Sequence, residues 1–141
     1  MAQKKSVLIV DDELGVRESL KMILKPIYQV YTAVDGREAL QSLQKDKIDL
    51  VALDLKMPGL SGMDVLQQIK KNDPDIEVIV ITAHGTPQNV QEANRYGAGD
   101  FITKPFNVPH LINSINKSLE NRNNNLRLKN FNRYNSVVIR T

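Results

Sequence analysis

Leu50-Val51-Ala52-Leu53 is apolar without a break, and a carboxylate follows at once at Asp54. A run this short and this uniformly apolar suits a strand buried on both faces of a parallel sheet. Asp is a poor strand former, so the strand is expected to stop at Asp54. Pro58-Gly59 marks a turn, and Ser61-Gly62 opens a helical pattern. A carboxylate in that place stands on the rim where open α/β sheets bind their ligands. Taken alone, a turn-forming or helix-capping Asp is the simpler account, and three other stretches change the balance.

The same grammar recurs along the chain. Val7-Leu8-Ile9-Val10 is a second buried-strand run and ends in Asp11-Asp12-Glu13. Leu14 to Lys25 follows as a helix with Val16, Leu20, Ile23 and Leu24 on one face, and Pro26 stops it. Gln29 to Ala33 reads as a strand, Asp35-Gly36 as a turn, and Arg37 to Lys45 as a helix with Ala39, Leu40 and Leu43 inward. After the Leu50 strand, Gly62 to Asn72 is a helix with Met63, Leu66 and Ile69 on its apolar side, broken by Asp73-Pro74. Glu77 to Ile81 is a β-branched strand that ends in Thr82-Ala83-His84-Gly85. Thr86 caps the next helix, with Pro87 in its first position. That helix offers only Val90, Ala93 and Tyr96 to a core, so it should be loosely held. Gly97-Ala98-Gly99 ends it, Asp100 to Thr103 is a short last strand closed by Lys104-Pro105, and a final helix begins at Val108 with Leu111, Ile112, Ile115 and Leu119 inward.

Five strands alternating with five helices over short connections predict an α/β fold, a doubly wound five-stranded parallel sheet. Pattern alone leaves the strand order open. The flavodoxin-like order 2-1-3-4-5 is the usual solution at this length, and its switch point lies between strands 1 and 3, which end in Asp11-Asp12 and Asp54.

Charge divides the chain in two. Residues 117–141 carry six Lys/Arg and one Glu, a net of +5, whereas the other 116 residues carry 13 basic and 15 acidic groups, a net of −2. The globular part is therefore no nucleic-acid-binding body by charge. The basic tail also holds seven Asn, which favour caps and turns over helix interiors. Leu119 and Leu126 lie a heptad apart, but Arg122 interrupts them, so the tail reads as a fraying extension of the last helix with no core of its own. Val137-Val138-Ile139 is apolar and unexplained. The chain has no Cys, which excludes disulfides and thiolate chemistry. Its apolar runs are too short for a membrane span, and Val7 to Val10 is too short for the core of a signal peptide. A soluble, cytoplasmic protein is expected.

Assembled at one rim, Asp11, Asp12, Asp54, Thr82 and Lys104 make a chemical problem and two cures. Clustered carboxylates repel one another unless a cation intervenes. A hard divalent ion such as Mg2+ accepts carboxylate, carbonyl and phosphate oxygens, and the Lys104 ammonium supplies a second positive charge. An Asp carboxylate in such a place can act as a nucleophile toward a phosphoryl group. His84 reads as a rim or loop residue rather than a ligand, and His110, in the first turn of the last helix, as a surface residue.

Asp11-Asp12, Asp54-x-x-Met57-Pro58-Gly59-x-x-Gly62, Thr82-Ala83 and Gly97-Ala98-x-Asp100-Phe101-x-x-Lys104-Pro105-Phe106 together resemble the receiver domain of bacterial two-component response regulators, the CheY-like domain, over about residues 5–120. The resemblance implies that Asp54 is the phosphoacceptor, with a sensor histidine kinase or phosphotransfer protein as donor. It implies Mg2+, with Mn2+ as a substitute, held by Asp12 and Asp54, by Asp11 mostly through water, and by the Lys56 backbone carbonyl. Lys104 would contact the phosphoryl group, and Lys104-Pro105 would be a cis peptide. Thr82 would be the hydroxyl switch and Phe101 the aromatic switch, with small Ala83 leaving room beside the phosphoryl group and Lys56 and His84 flanking the entrance. The working face would be the fourth helix, fifth strand and fifth helix, a face that also suits a homodimer. Residues 1–120 would then be the receiver and 121–141 a tail or a linker toward an output domain, through which alone nucleic acid would be contacted. Two other functions use similar parts. An Asp-nucleophile phosphohydrolase usually has an acid two residues after its nucleophile, where this chain has Lys56. A flavin or nucleotide site needs a glycine- or hydroxyl-rich loop after the first strand, where this chain has Asp-Asp-Glu.

Overall fold

The computed structural model describes the backbone of residues 3–140 and the side chains of residues 3–133. Five strands, β1 (Ser6–Val10), β2 (Gln29–Ala33), β3 (Leu50–Leu53), β4 (Glu77–Thr82) and β5 (Asp100–Thr103), form one parallel sheet in the order β2-β1-β3-β4-β5. Five helices alternate with them: α1 (Leu14–Leu24), α2 (Gly36–Lys45), α3 (Gly62–Asn72), α4 (Pro87–Arg95) and α5 (Val108–Arg140). The flavodoxin-like architecture expected from the alternation is the one observed.

The three inner strands β1, β3 and β4 are buried along their whole length and mostly apolar, because their residues alternate between two cores. Leu8, Val10, Val51, Leu53, Val78 and Val80 point to one side, where α2, α3 and α4 contribute Ala39, Val65, Leu66, Ile69 and Ala93. Val7, Ile9, Leu50, Ala52, Ile79 and Ile81 point to the other, against Leu20 and Leu24 of α1 and Leu111, Ile115 and Leu119 of α5. Val65, which the helical pattern did not single out, is fully buried. Alternation along each strand thus divides one apolar run between two cores.

Helix starts follow the expected chemistry. The Ser61 and Thr86 hydroxyls accept from the backbone N–H of Asp64 and Asn89, each at 3.2 Å. Asp35 was expected in a turn. It is instead the N-cap of α2, accepting from the Glu38 N–H at 2.9 Å, and the helix starts one residue earlier, at Gly36. A Cβ at Gly36 would overlap the Val65 side chain, so glycine lets α2 lie against α3. At the end of α4, Gly97 takes a φ of +97°. The Gly97 and Ala98 N–H groups donate to the carbonyls of Asn94 and Ala93, closing the helix with the doubled bond pattern that glycine there permits.

The one substantial departure from the sequence reading is at the C-terminal end. The last helix does not fray after Leu119 but runs unbroken to Arg140. Arg122, read as a polar interruption, is buried: its Nε donates to Asp49 Oδ1 at 3.3 Å and its Nη1 to the Asp75 carbonyl at 2.5 Å. Asn121 donates to Glu77, and Lys129 Nζ pairs with Asp75 Oδ2 at 2.6 Å. Long cationic side chains can bury their stems while their heads find acids, so a charge in the stripe need not end the packing. These contacts lie at the N-terminal pole of the sheet, opposite the rim that ends in Asp11 and Asp54. The side chains of Val137, Val138 and Ile139 lie outside the described residues.

Candidate functional site

Parallel pairing brings the acids together. Val10 is in register with Leu53, so the next residues, Asp11 and Asp54, leave β1 and β3 side by side. The Asp11 N–H donates to the Ala33 carbonyl at 3.2 Å and the Asp54 N–H to the Val10 carbonyl at 3.0 Å, so both backbones extend the sheet by one residue. Asp11 is 2% exposed and Asp54 6%, whereas Asp12 is open to solvent. Carboxylate oxygens of Asp11, Asp12 and Asp54 lie within 4.8 Å of one another.

Lys104 closes the site from the end of β5. Its Nζ lies 2.7 Å from Asp11 Oδ2 and 3.4 Å from Asp54 Oδ2. Burial lowers the pKa of this ammonium, but the Asp11 hydrogen bond and the charges of Asp54 and Asp11 outweigh burial and hold it above the ordinary lysine value. Lys104 is placed by its backbone: its N–H donates to the Thr82 carbonyl at 2.8 Å. The Lys104–Pro105 peptide bond is cis.

Thr82 ends β4 completely buried, and its Oγ1 accepts from the His84 N–H at 3.3 Å. Ala83 and His84 are exposed in the loop that follows, and the His84 carbonyl accepts from the Asn89 side chain at 2.8 Å. Lys56 is exposed, with its N–H 3.4 Å from Asp54 Oδ1. Phe101 is half-buried and packs with the core on the α2-α3-α4 side, not among the acids. His110 is exposed in the first turn of α5.

One residue at the site was named in sequence without its role, and another was not singled out at all. Gly62 sits so close behind Asp54 that a Cβ there would overlap the Asp54 main-chain carbonyl and the Leu55 Cα. Its spacing after Pro58-Gly59 was visible, but the close approach is tertiary. Arg17 donates from Nη1 to the Asp11 main-chain carbonyl at 2.8 Å. In sequence it is one more charge on an amphipathic helix.

The donor set fits a hard divalent ion. Three carboxylates face one ammonium that pairs with two of them, which leaves excess negative charge and one acid open to water. Among the described residues no helix is long and apolar enough to cross a membrane.

Comparison with known proteins agrees with this geometry. The family model for the response regulator receiver domain matches residues 7–116. The chain is 37% identical over 119 residues to sporulation initiation phosphotransferase F of Bacillus subtilis, covering 84% of this chain and 96% of that protein. It is 42% identical over 115 residues to the chemotaxis protein CheY of Thermotoga maritima, covering 80% of this chain and 96% of that one. Among solved structures, a CheY-like receiver domain protein from Methanospirillum hungatei superposes with a TM-score of 0.84 at 28% identity, covering 87% of this chain and 99% of that one.

Proposed function

The chain belongs to the response regulator receiver domain family, a family of signalling domains, and from that membership we propose that Asp54 accepts a phosphoryl group from the phosphohistidine of a sensor histidine kinase or phosphotransfer protein. The observation that carries this reading is the convergence of Asp11, Asp12 and Asp54 with Lys104 paired to two of them. An acyl phosphate forms when an Asp54 carboxylate oxygen bonds to phosphorus and the imidazole nitrogen leaves.

Asp11, Asp12, Asp54 and the main-chain carbonyl of Lys56 would hold Mg2+, or Mn2+ in its place. When bound, the ion supplies charge neutralisation for the transferred group. The chain's own residues do the rest. Lys104 already stands 3.4 Å from an Asp54 oxygen and is charged at neutral pH, so it can take a phosphoryl oxygen without a proton change. Burial of Asp54 limits competing water, while exposed Ala83, His84 and Lys56 border the approach.

The switch reading starts from Thr82. Its hydroxyl accepts from the His84 N–H, so drawing that hydroxyl toward a phosphoryl group pulls on the loop that leads to α4. Helix α4 is the easiest to displace, because Ala93 is its one fully buried residue. Phe101, half-buried on β5, would follow inward, and the α4-β5-α5 face would change for a partner, an output domain beyond residues 121–141, or a second copy of the chain. Nucleic acid would be reached only through such an output domain, and the setting would be cytoplasmic.

The test is direct. Incubation with acetyl phosphate and Mg2+ should add the mass of one phosphoryl group, and Asp54→Asn should abolish the gain. Equal labelling of the Asp54→Asn protein would overturn the assignment. Multiple turnover of an unrelated phosphoester would instead favour a hydrolase.

A further inference from the structure

Every polar atom of Asp11 has a partner, and one of those partners comes from an unexpected place. Its N–H donates to Ala33, its Oδ1 accepts from the Glu13 N–H at 2.9 Å, and its Oδ2 accepts from Lys104 at 2.7 Å. Its main-chain carbonyl accepts from Arg17 Nη1 at 2.8 Å. The residue is 2% exposed, so a donor is needed there that bulk water does not supply. Arg17 is half-buried on α1 and has acids at Glu13 and Glu18 nearby in sequence. Among the described residues, however, its guanidinium forms no ion pair.

That carbonyl belongs to the peptide plane joining Asp11 to Asp12. The plane is rigid, so fixing the Asp11 oxygen places the Asp12 N and Cα and leaves rotation about the Asp12 N–Cα bond as the backbone freedom by which its side chain can swing. Asp12 has little else to orient it. It is exposed, and among the described residues its carboxylate has no ion-pair partner. Helix α1 adds no side-chain cap of its own at Glu13.

We propose that Arg17 is a positioning residue for the divalent-ion site, aiming the Asp12 carboxylate at the ion shared with Asp11 and Asp54 by clamping the peptide between the two acids. The proposal rests on the reading of that cluster as an ion site. Charge alone predicts the opposite sign: a guanidinium near a cation site repels the cation, and removing it should tighten binding. Loss of the clamp should weaken binding, as losing an outer hydrogen bond to a metal ligand does.

The experiment titrates the full chain with Mn2+ alone and counts free ion by electron paramagnetic resonance, with the thermal midpoint of each protein measured alongside. Arg17→Ala should weaken Mn2+ affinity about tenfold. Arg17→Gln, too short to span the same distance but closer in bulk, should lose as much and serves if Arg17→Ala folds poorly. Arg17→Lys, which keeps one donor at the end of a long stem, should stay within about threefold of the parent chain. Unchanged or tighter binding by Arg17→Ala and Arg17→Gln overturns the proposal, and so does an Arg17→Lys protein as weak as Arg17→Ala. Asp12→Asn separates the two levels. If it binds Mn2+ as well as the parent chain, the ion-site reading itself fails and takes the clamp with it; if it binds poorly while the Arg17 variants bind normally, only the clamp fails.

Discussion

Lys104 balances the rim. It satisfies two carboxylates that are almost out of solvent, so Lys104→Ala strands both. Removing one partner of a buried pair costs about 3 kcal/mol, and urea unfolding should show a loss of that order that millimolar Mg2+ partly restores. The sign of the pH effect follows from the raised pKa of Lys104. A group held above its unfolded value of 10.5 stabilises fully below that value and loses its contribution as pH climbs through the folded pKa. The Lys104 contribution should therefore be flat through neutral pH and fall only on the alkaline side, and urea midpoints of the parent chain minus those of Lys104→Ala measure it. Asp12 behaves in the opposite way. It is the acid without an ion-pair partner among the described residues, so Asp12→Asn relieves repulsion from Asp11 and Asp54. Without divalent ion this variant should be more stable by about 1 kcal/mol; with Mg2+ the ranking should reverse. A site that costs stability when empty of its ligand is what function at a strained cluster predicts.

Two elements are pinned where the sequence showed only spacing. The start of α3 is pressed onto the end of β3 at Asp54 through Gly62, and the obstacle to a side chain there is backbone, which cannot rotate away. Gly62→Ala should destabilise the chain by about 3 kcal/mol or displace Asp54, and labelling by acetyl phosphate should fall along with the thermal midpoint. Helix α5 is gripped far from the rim. Arg122 joins it to Asp49 and Asp75, and Lys129 adds a second pair on Asp75. Asp49 also accepts from the Ser6 N–H at 2.9 Å, so the grip ties the last helix to the first strand. Arg122→Ala should cost about 3 kcal/mol. Amide exchange should accelerate most across residues 121–129, leaving the acidic rim unchanged. The exposed Lys129 pair contributes little beside it, since solvent screens it. Asn121, Arg122 and Lys129 thus fasten the continuation of α5 to the sheet.

Across the whole molecule the two poles of the sheet do different work. The C-terminal pole gathers three acids and an ammonium and buries two of the acids; the N-terminal pole fastens α5 to the strands. Between them the two cores hold unequal shares of the helices, and α4 has the smallest grip. Amide exchange should rank α4 as the least protected helix of the body, with changes on phosphorylation concentrated from Thr82 to Phe106. Strand and helix identity, the alternation that demands a parallel sheet, and the strand-end acids were legible along the chain, because periodicity and turn chemistry are local and the inner strands announce burial on both sides. Strand order was legible only as the usual solution, since pairing is set by which helices cover which face. The burial of Arg122, the clamp of Arg17 on Asp11 and the press of Gly62 on Asp54 were not legible at all. Each is a meeting of residues distant in sequence or folded back across a turn, and a side chain's worth there depends on what stands opposite it. Local pattern wrote the elements and placed the acids at their ends; only packing decided which charges pair, which backbone atoms need a partner, and how far the last helix belongs to the body.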